Sequence, residues 1–345
     1  MWIAALVPAN HTGLAALELE SALEAEGVAC EAEVLHPKLV RARVAGSPDE
    51  VVRAARRTAY TKEVIAEKSL VPARSIGELL DWVGSSDWAE VEGRTFAVEV
   101  TKLGAEGYPP SPEVAAMVGS AILGRAPGAR VDLAGPGVRV RVLILRGFCI
   151  VGFSLLRLGR SRFRPRSPER RPFFHPCALT PDLSRALVNL GRIGPGARLL
   201  DPFCGSGSVL IESALLGVYS VGMDINCRLV KGAALNLGHY GLRHMVDLVV
   251  TDSAMMPIRD GAVDAVVTDP PYGRISAGMG LRARSLYESF LGEAARVVRE
   301  GSRVVYMYAK GRDPPGHPGL PVKDKFEIYV HGNLTRVVAV AVRDT

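Results

Sequence analysis

Residues 262–273 read Ala-Val-Asp-Ala-Val-Val-Thr-Asp-Pro-Pro-Tyr-Gly. The run from Ala262 to Val267, interrupted by Asp264, is apolar and rich in valine, which predicts a buried strand. That strand stops at Asp269, because Pro270 and Pro271 have no N–H for a ladder and hold the backbone in a fixed bend. The Asp269 carboxylate, the free carbonyl of Pro270 and the ring of Tyr272 are thereby gathered at the carboxyl end of the strand. In open α/β sheets this is the edge where ligands bind. The set suits a flat molecule carrying an amino group: acceptors grip its N–H hydrogens and a tyrosine face stacks on its ring. Alone, the four residues also read as a strand that ends in a proline turn, so the choice rests on what precedes them.

From about residue 173 the chain has the rhythm of a doubly wound sheet. A helix over 181–190 leads in. Strands are expected at 197–201, 219–224 and 247–252, with helices at 209–216 and 228–240 between them. After the opening stretch come a helix over 285–299 ended by Gly301, a strand at 303–308, and a closing hairpin of 326–330 and 337–342 around Gly332-Asn333. Each of the first four strands ends in an acid: Asp201, Asp224, Asp252 and Asp269. One such acid would usually cap the next helix. Four in register, with a loop Pro202-Phe203-Cys204-Gly205-Ser206-Gly207-Ser208 after the first, point to a ligand site. Gly205 and Gly207 let backbone pass close to that ligand and open a helix. The loop is not the dinucleotide G-x-G-x-x-G, since Val209 and Leu210 fill the spacing and no third glycine follows. Asp224 is placed to accept from ribose hydroxyls, and Asp252 from an adenine amino group. S-adenosylmethionine has ribose, adenine and a positive sulfonium but no phosphate. It fits an acid-rich, lysine-free loop better than NAD does. Asp260 and Asp264 read as turn residues, and Tyr306 and Tyr308 as core or strand-face residues.

With 345 residues, 48% hydrophobic and 23% charged, the chain is globular and long enough for two or three domains. Its apolar runs are broken by arginines such as Arg146 and Arg336, so no membrane span is expected. Its start reads as a first strand rather than a signal peptide. The five cysteines contain no C-x-x-C pair, which leaves no disulfide framework and no metal site and fits a cytoplasmic protein. Of the 42 basic residues only eight are lysines, and the net charge is +6. Arginine excess suits phosphate recognition, and a compositional bias would produce it equally.

Residues 1–46 read as a small α+β unit, with a strand, a helix and extended structure broken near His36-Pro37. Residues 47–156 read as a second unit of alternating helices and strands. A linker at 157–172 carries Arg157, Arg160, Arg162, Arg164 and Arg166, then Arg170 and Arg171, against one acid, Glu169. A flexible or extended basic strip of this kind can track an RNA backbone; a solvated linker is the plainer alternative.

The series Phe96-Ala-Val-Glu-Val-Thr-Lys, Val118-Gly-Ser-Ala-Ile-Leu, Val131-Asp-Leu and Gly152-Phe-Ser resembles a THUMP domain, a module of RNA-modifying enzymes. Asp201-Pro-Phe-Cys-Gly-Ser-Gly-Ser with Asp269-Pro-Pro-Tyr resembles the amino-methyltransferases of the class I S-adenosylmethionine fold. Phe174-His-Pro-Cys-Ala-Leu-Thr-Pro is similar to their preceding cofactor-contacting motif. Together the chain resembles the archaeal THUMP-domain tRNA (guanine-N2) methyltransferases that act on guanosine 10. The resemblance implies an α/β class I methyltransferase over 173–345, Rossmann-like and mostly parallel with a C-terminal antiparallel hairpin, behind a ferredoxin-like/THUMP region. It implies S-adenosylmethionine as cofactor, contacted at Asp201, Pro202, Phe203, Gly205, Gly207, Asp224, Ile225, Asp252 and Ser253. It also implies tRNA as partner, and catalysis by Asp269, Pro270 and Tyr272. One or two transfers to N2, and guanosine 6 or rRNA as target, stay open. A DNA amino-methyltransferase would share the catalytic motif, but no target-recognition insertion fits between 273 and 284. A non-catalytic RNA-binding protein would not need the intact Asp-Pro-Pro-Tyr.

Overall fold

The computed structural model describes residues 1–271, 281–332 and 334–344. Its elements begin with β1 (Trp2–Leu6), α1 (Thr12–Ala25), β2 (Cys30–His36), β3 (Leu39–Val44), α2 (Pro48–Arg57), β4 (Glu63–Val71), α3 (Ile76–Ser85), β5 (Thr95–Lys102), α4 (Ser111–Leu123), β6 (Arg130–Val131), β7 (Val138–Leu145) and β8 (Phe148–Arg157). The chain divides into two compact units, residues 1–12, 28–55 and 61–158 in one, and 13–27, 56–60 and 159–345 in the other.

In the first unit an eight-stranded sheet runs β2-β3-β1-β4-β8-β7-β5-β6. The boundary expected at residues 46/47 does not divide it, because β4 pairs with β1 on one side and β8 on the other. Strand β5 is parallel to β6 and β7. Helix α3 starts at a Ser75 cap whose hydroxyl accepts from Glu78 N at 3.3 Å, and α4 has proline in its first turn. Buried Trp88, Phe96, Val118 and Ile122 form the core under them.

The second unit continues with α5 (Pro181–Leu190), β9 (Arg198–Asp201), α6 (Ser208–Ala214), β10 (Tyr219–Asp224), α7 (Cys227–His239), β11 (Val246–Val250), β12 (Val263–Thr268), α8 (Leu281–Val297), β13 (Val298–Ala309), β14 (Val322–His331) and β15 (Leu334–Val342). Its sheet runs β11-β10-β9-β12-β13-β15-β14. The first five strands are parallel, and β15 and β14 form the antiparallel hairpin. Strand order reverses between β9 and β12, so their carboxyl ends flank the crevice of a doubly wound sheet.

Three expectations are corrected. Gly301 does not end a helix: α8 stops at Val297, and Gly301, with φ +72°, sits inside the irregularity through which β13 meets β12. Asp264 is a strand residue, not a turn residue, and its carboxylate accepts from Arg198 N at 2.8 Å and pairs with Arg299. The basic stretch is not an extended strip. Arg157 ends β8 and pairs with Glu63 and Glu99, and residues 160–166 and 168–170 are 3₁₀ turns folded into the second unit. There Arg160 pairs with Asp182, Arg162 donates to the carbonyls of Arg56 and Thr58, and Arg166 pairs with Glu212. Arg164 and Arg170 are exposed.

Helix α1 also belongs to the second unit. Glu18 is fully buried and accepts from Ala59 N at 2.6 Å, Tyr60 N at 2.9 Å and Asn189 Nδ2 at 2.9 Å. Arg303 on β13 donates to Ser21 Oγ at 2.8 Å and to Leu190 O at 3.0 Å. Among the described residues no helix is long and apolar enough to cross a membrane.

Candidate active site

Strand β9 ends in the buried carboxylate of Asp201. Its Oδ1 accepts from Thr268 Oγ1 at 2.6 Å and from Phe203 N at 3.2 Å. Only 2% of Asp201 is exposed, so this acid braces two strand ends and is directed at protein. Burial pushes its pKa up to about 7; the two hydrogen bonds oppose that shift, and the like charges of Asp224 and Asp269 add to it. Phe203 likewise turns inward, its ring meeting the Phe290 edge at 5.4 Å, and Pro202 is buried.

The next acid holds the glycine loop. Asp224 Oδ2 accepts from Gly205 N at 3.0 Å, and its Oδ1 from Asn226 N at 2.8 Å. Cys204 N donates to Met223 O at 2.8 Å, fixing the loop on β10. Gly207 has φ +85°, and a Cβ there would sit 3.2 Å from that of Ala233, so this position requires glycine. Sequence reasoning missed Gly222: a Cβ on it would lie 2.4 Å from Leu210 Cδ1 and 3.3 Å from Cys204 Cβ. The glycine inside Val-Gly-Met was the available signal, since glycine in a strand marks close approach.

The strand expected over 247–252 stops at Val250, so Asp252 lies two residues beyond β11, and its exposed carboxylate accepts from Ala254 N at 2.9 Å. Ser253 is buried. Ile225, just after β10, is 72% exposed, and Met255, beyond β11, is 77% exposed. Both are apolar side chains left open beyond the carboxyl ends of β10 and β11. Ile225 was expected there; Met255 was not, because a methionine in a loop carries no pattern.

At the end of β12, Thr268 is buried, Asp269 half-buried, Pro270 buried and Pro271 exposed. The charge of Asp269, after burial, helps raise the Tyr287 phenol well above its ordinary range. Tyr287 donates to Met307 O at 2.9 Å, which fastens α8 to β13. Tyr306 and Tyr308 are buried, as the sequence predicts. Tyr272 lies outside the described residues, as does most of 273–284. Among the described residues no group of histidine, cysteine or acid could hold a metal ion.

A parallel sheet with acids after its strands, a glycine loop clamped by the second acid and Asp-Pro-Pro at the next strand end define a class I methyltransferase. The comparisons agree. Residues 168–321 match the family model described as RMKL-like, methyltransferase domain, and residues 73–153 match the THUMP domain. The chain belongs to the family of THUMP-bearing tRNA (guanine-N2) methyltransferases. It is 33% identical to the tRNA (guanine(10)-N2)-dimethyltransferase of Methanothermobacter thermautotrophicus over 98% of each chain. It is 36% identical to the tRNA (guanine(6)-N2)-methyltransferase of Thermus thermophilus over 64% of each. Among solved structures, TrmN from Thermus thermophilus superposes with a TM-score of 0.55 at 27% identity, over 99% of each chain.

Proposed function

We propose that this protein transfers one or two methyl groups from S-adenosylmethionine to the exocyclic N2 of guanosine 10 in tRNA, in the cytoplasm. The observation that carries the reading is the hydrogen bond from Thr268 to Asp201, which locks the start of the glycine loop to the residue before Asp269. One site thus binds a nucleoside cofactor and presents acceptors to an amine.

The residues fit that cofactor. Asp224 has lone pairs to spare for ribose hydroxyls after taking two backbone N–H groups. Asp252 is exposed and available to an adenine amino group, and Ile225 and Met255 offer apolar surface to the ring. When bound, the cofactor supplies an electrophilic methyl group. The protein's part is to prepare the amine. The lone pair of guanine N2 is delocalised into the ring and is a poor nucleophile. Asp269 and the Pro270 carbonyl accept its N–H hydrogens, which localises and aims the lone pair, and Asp269 takes the proton released. Tyr272 stacks on the base. A guanosine in a paired stem must be extruded, which takes a few kcal/mol; the THUMP-bearing unit supplies tRNA binding for that.

Guanosine 6 is the second reading, because the Thermus relative of that name is 36% identical over its matched part. Asp at 269 favours guanosine 10, as the guanosine 6 family usually begins this motif with Asn. The test is methyl transfer to tRNA transcripts lacking guanosine 10 or guanosine 6, followed by nucleoside analysis. N2-methylated guanosine that disappears only with guanosine 10 is expected; product that persists without it overturns the position.

A further inference from the structure

We propose that residues 160–173 are a two-sided strap: Arg171 on its inner side is a positioning residue for the glycine loop, and Arg164 and Arg170 on its outer side meet the RNA backbone. The inference rests on the methyltransferase reading above and adds how the two ligands are handled by one segment.

The inner side is built against the loop. Arg171 is 5% exposed and donates from Nη1 to Ser208 Oγ at 2.6 Å. Ser208 is the first residue of α6, directly after Gly207. Arg171 Nε also donates to Arg166 O at 3.0 Å, tying the strap to itself. Arg166 in turn pairs through Nε with Glu212 Oε1 at 2.6 Å, and Arg185 pairs with Glu212 Oε2 at 2.7 Å. Glu212 is fully buried on the helix that the loop opens, so the strap grips that helix at its first turn and one turn on.

A second clasp follows. Phe173 N donates to Asn236 Oδ1 at 2.9 Å, and Asn236 Nδ2 donates to both Phe173 O and Ser206 O at 3.0 Å. Asn236 therefore links the end of the strap to the residue between Gly205 and Gly207. The Phe173 ring lies on Gly232 so closely that a Cβ there would fall 2.2 Å from it. A loop with two left-handed glycines has little stiffness of its own. Its position is set by Arg171 of the strap and by Asn236, which the strap's last residue holds, and a preformed loop binds its ligand without first being ordered.

The outer side is what remains of the expected RNA strip. Arg164 and Arg170 are exposed, whereas Arg160, Arg162 and Arg166 are committed to protein acceptors. Two exposed guanidiniums suit phosphate contact.

The test is calorimetry of S-adenosylhomocysteine and filter binding of tRNA, on the full chain. Arg171→Met and Ser208→Ala are expected to weaken S-adenosylhomocysteine about tenfold, to raise KM for the cofactor with kcat kept at saturation, and to leave tRNA affinity unchanged. Arg171→Lys, which can still donate to Ser208, is expected to recover part of the loss. The double variant Arg164→Ala/Arg170→Ala is expected to do the reverse, weakening tRNA about tenfold and flattening its salt dependence. If Arg171→Met fails to fold, Ser208→Ala decides alone. Cofactor-product affinity within twofold of the natural chain in Ser208→Ala, or lost in the outer variant, overturns the proposal. A natural chain that binds no S-adenosylhomocysteine overturns the methyltransferase reading instead.

Discussion

Thr268 Oγ1 donates to Asp201 Oδ1 at 2.6 Å, joining the last residues of two neighbouring parallel strands. Phe203 N takes the same oxygen at 3.2 Å. The first acid of the site is thus an internal brace, and the groups that remain open to ligands are those after the other strands.

This brace predicts an unusual pH dependence. The folded pKa of Asp201 is raised from 3.8 to about 7. Between those values the unfolded chain releases a proton that the native chain keeps, so stability falls as pH rises and levels off above pH 7. Compared with Asp201→Asn, the natural chain is expected to lose unfolding free energy from pH 4 to pH 7, with a slope of at most about 1.4 kcal/mol per pH unit. Urea unfolding of both proteins across this range measures the difference, and a flat difference contradicts it.

Asp269→Ala removes the acceptor for the amine and leaves the glycine loop intact. The expected result is a fall in kcat of about a hundredfold or more, with S-adenosylhomocysteine and tRNA affinities close to those of the natural chain. Single-turnover methylation at unchanged rate would remove Asp269 from the chemistry.

Gly207→Ala meets a left-handed backbone and a neighbour at 3.2 Å. A loss of about 1–3 kcal/mol in stability is expected, together with weaker cofactor binding. Gly205→Ala is the control: a Cβ there meets nothing within 4 Å, so only the backbone strain at φ +51° remains and the loss should be smaller. Thermal unfolding of the pair ranks the two.

Glu18→Ala strips three buried donors, Ala59 N, Tyr60 N and Asn189 Nδ2, of their acceptor. Buried donors left unpaired are expected to destabilise the protein by about 3 kcal/mol or more. The loss should be read in the unfolding of the methyltransferase unit, to which Glu18, Ala59, Tyr60 and Asn189 all belong; cofactor-induced stabilisation identifies that transition.

The order of the methyltransferase strands was legible because its markers are local. A valine run, an acid and a proline or glycine turn lie within a few residues of each other, and the parallel order follows from alternation with helices. Asp224 and Asp269 were read as acids at strand ends in this way, and the structure has them at or just past the ends of β10 and β12. The fate of the arginines was not legible, because their partners are far along the chain. Arg166 and Arg171 find Glu212 and Ser208 on a helix some forty residues later. The signal that could have warned of it is Glu212 itself, an acid inside Ser-Val-Leu-Ile-Glu-Ser-Ala, a helix buried throughout. An acid in such a place needs a cation brought to it. Helix α1 escaped for the same reason: a sequence pattern says that a face is buried, not against what.

That helix has a consequence for biosynthesis. Helix α1 is translated well before Asn189 and Arg303, which hold it in the second unit. At 5–20 residues per second, about ten to thirty seconds separate Glu18 from Asn189. During that interval the buried carboxylate of Glu18 lacks the Asn189 donor that it has in the finished protein. A gene fragment encoding residues 159–345 alone therefore lacks a structural member of its own catalytic unit.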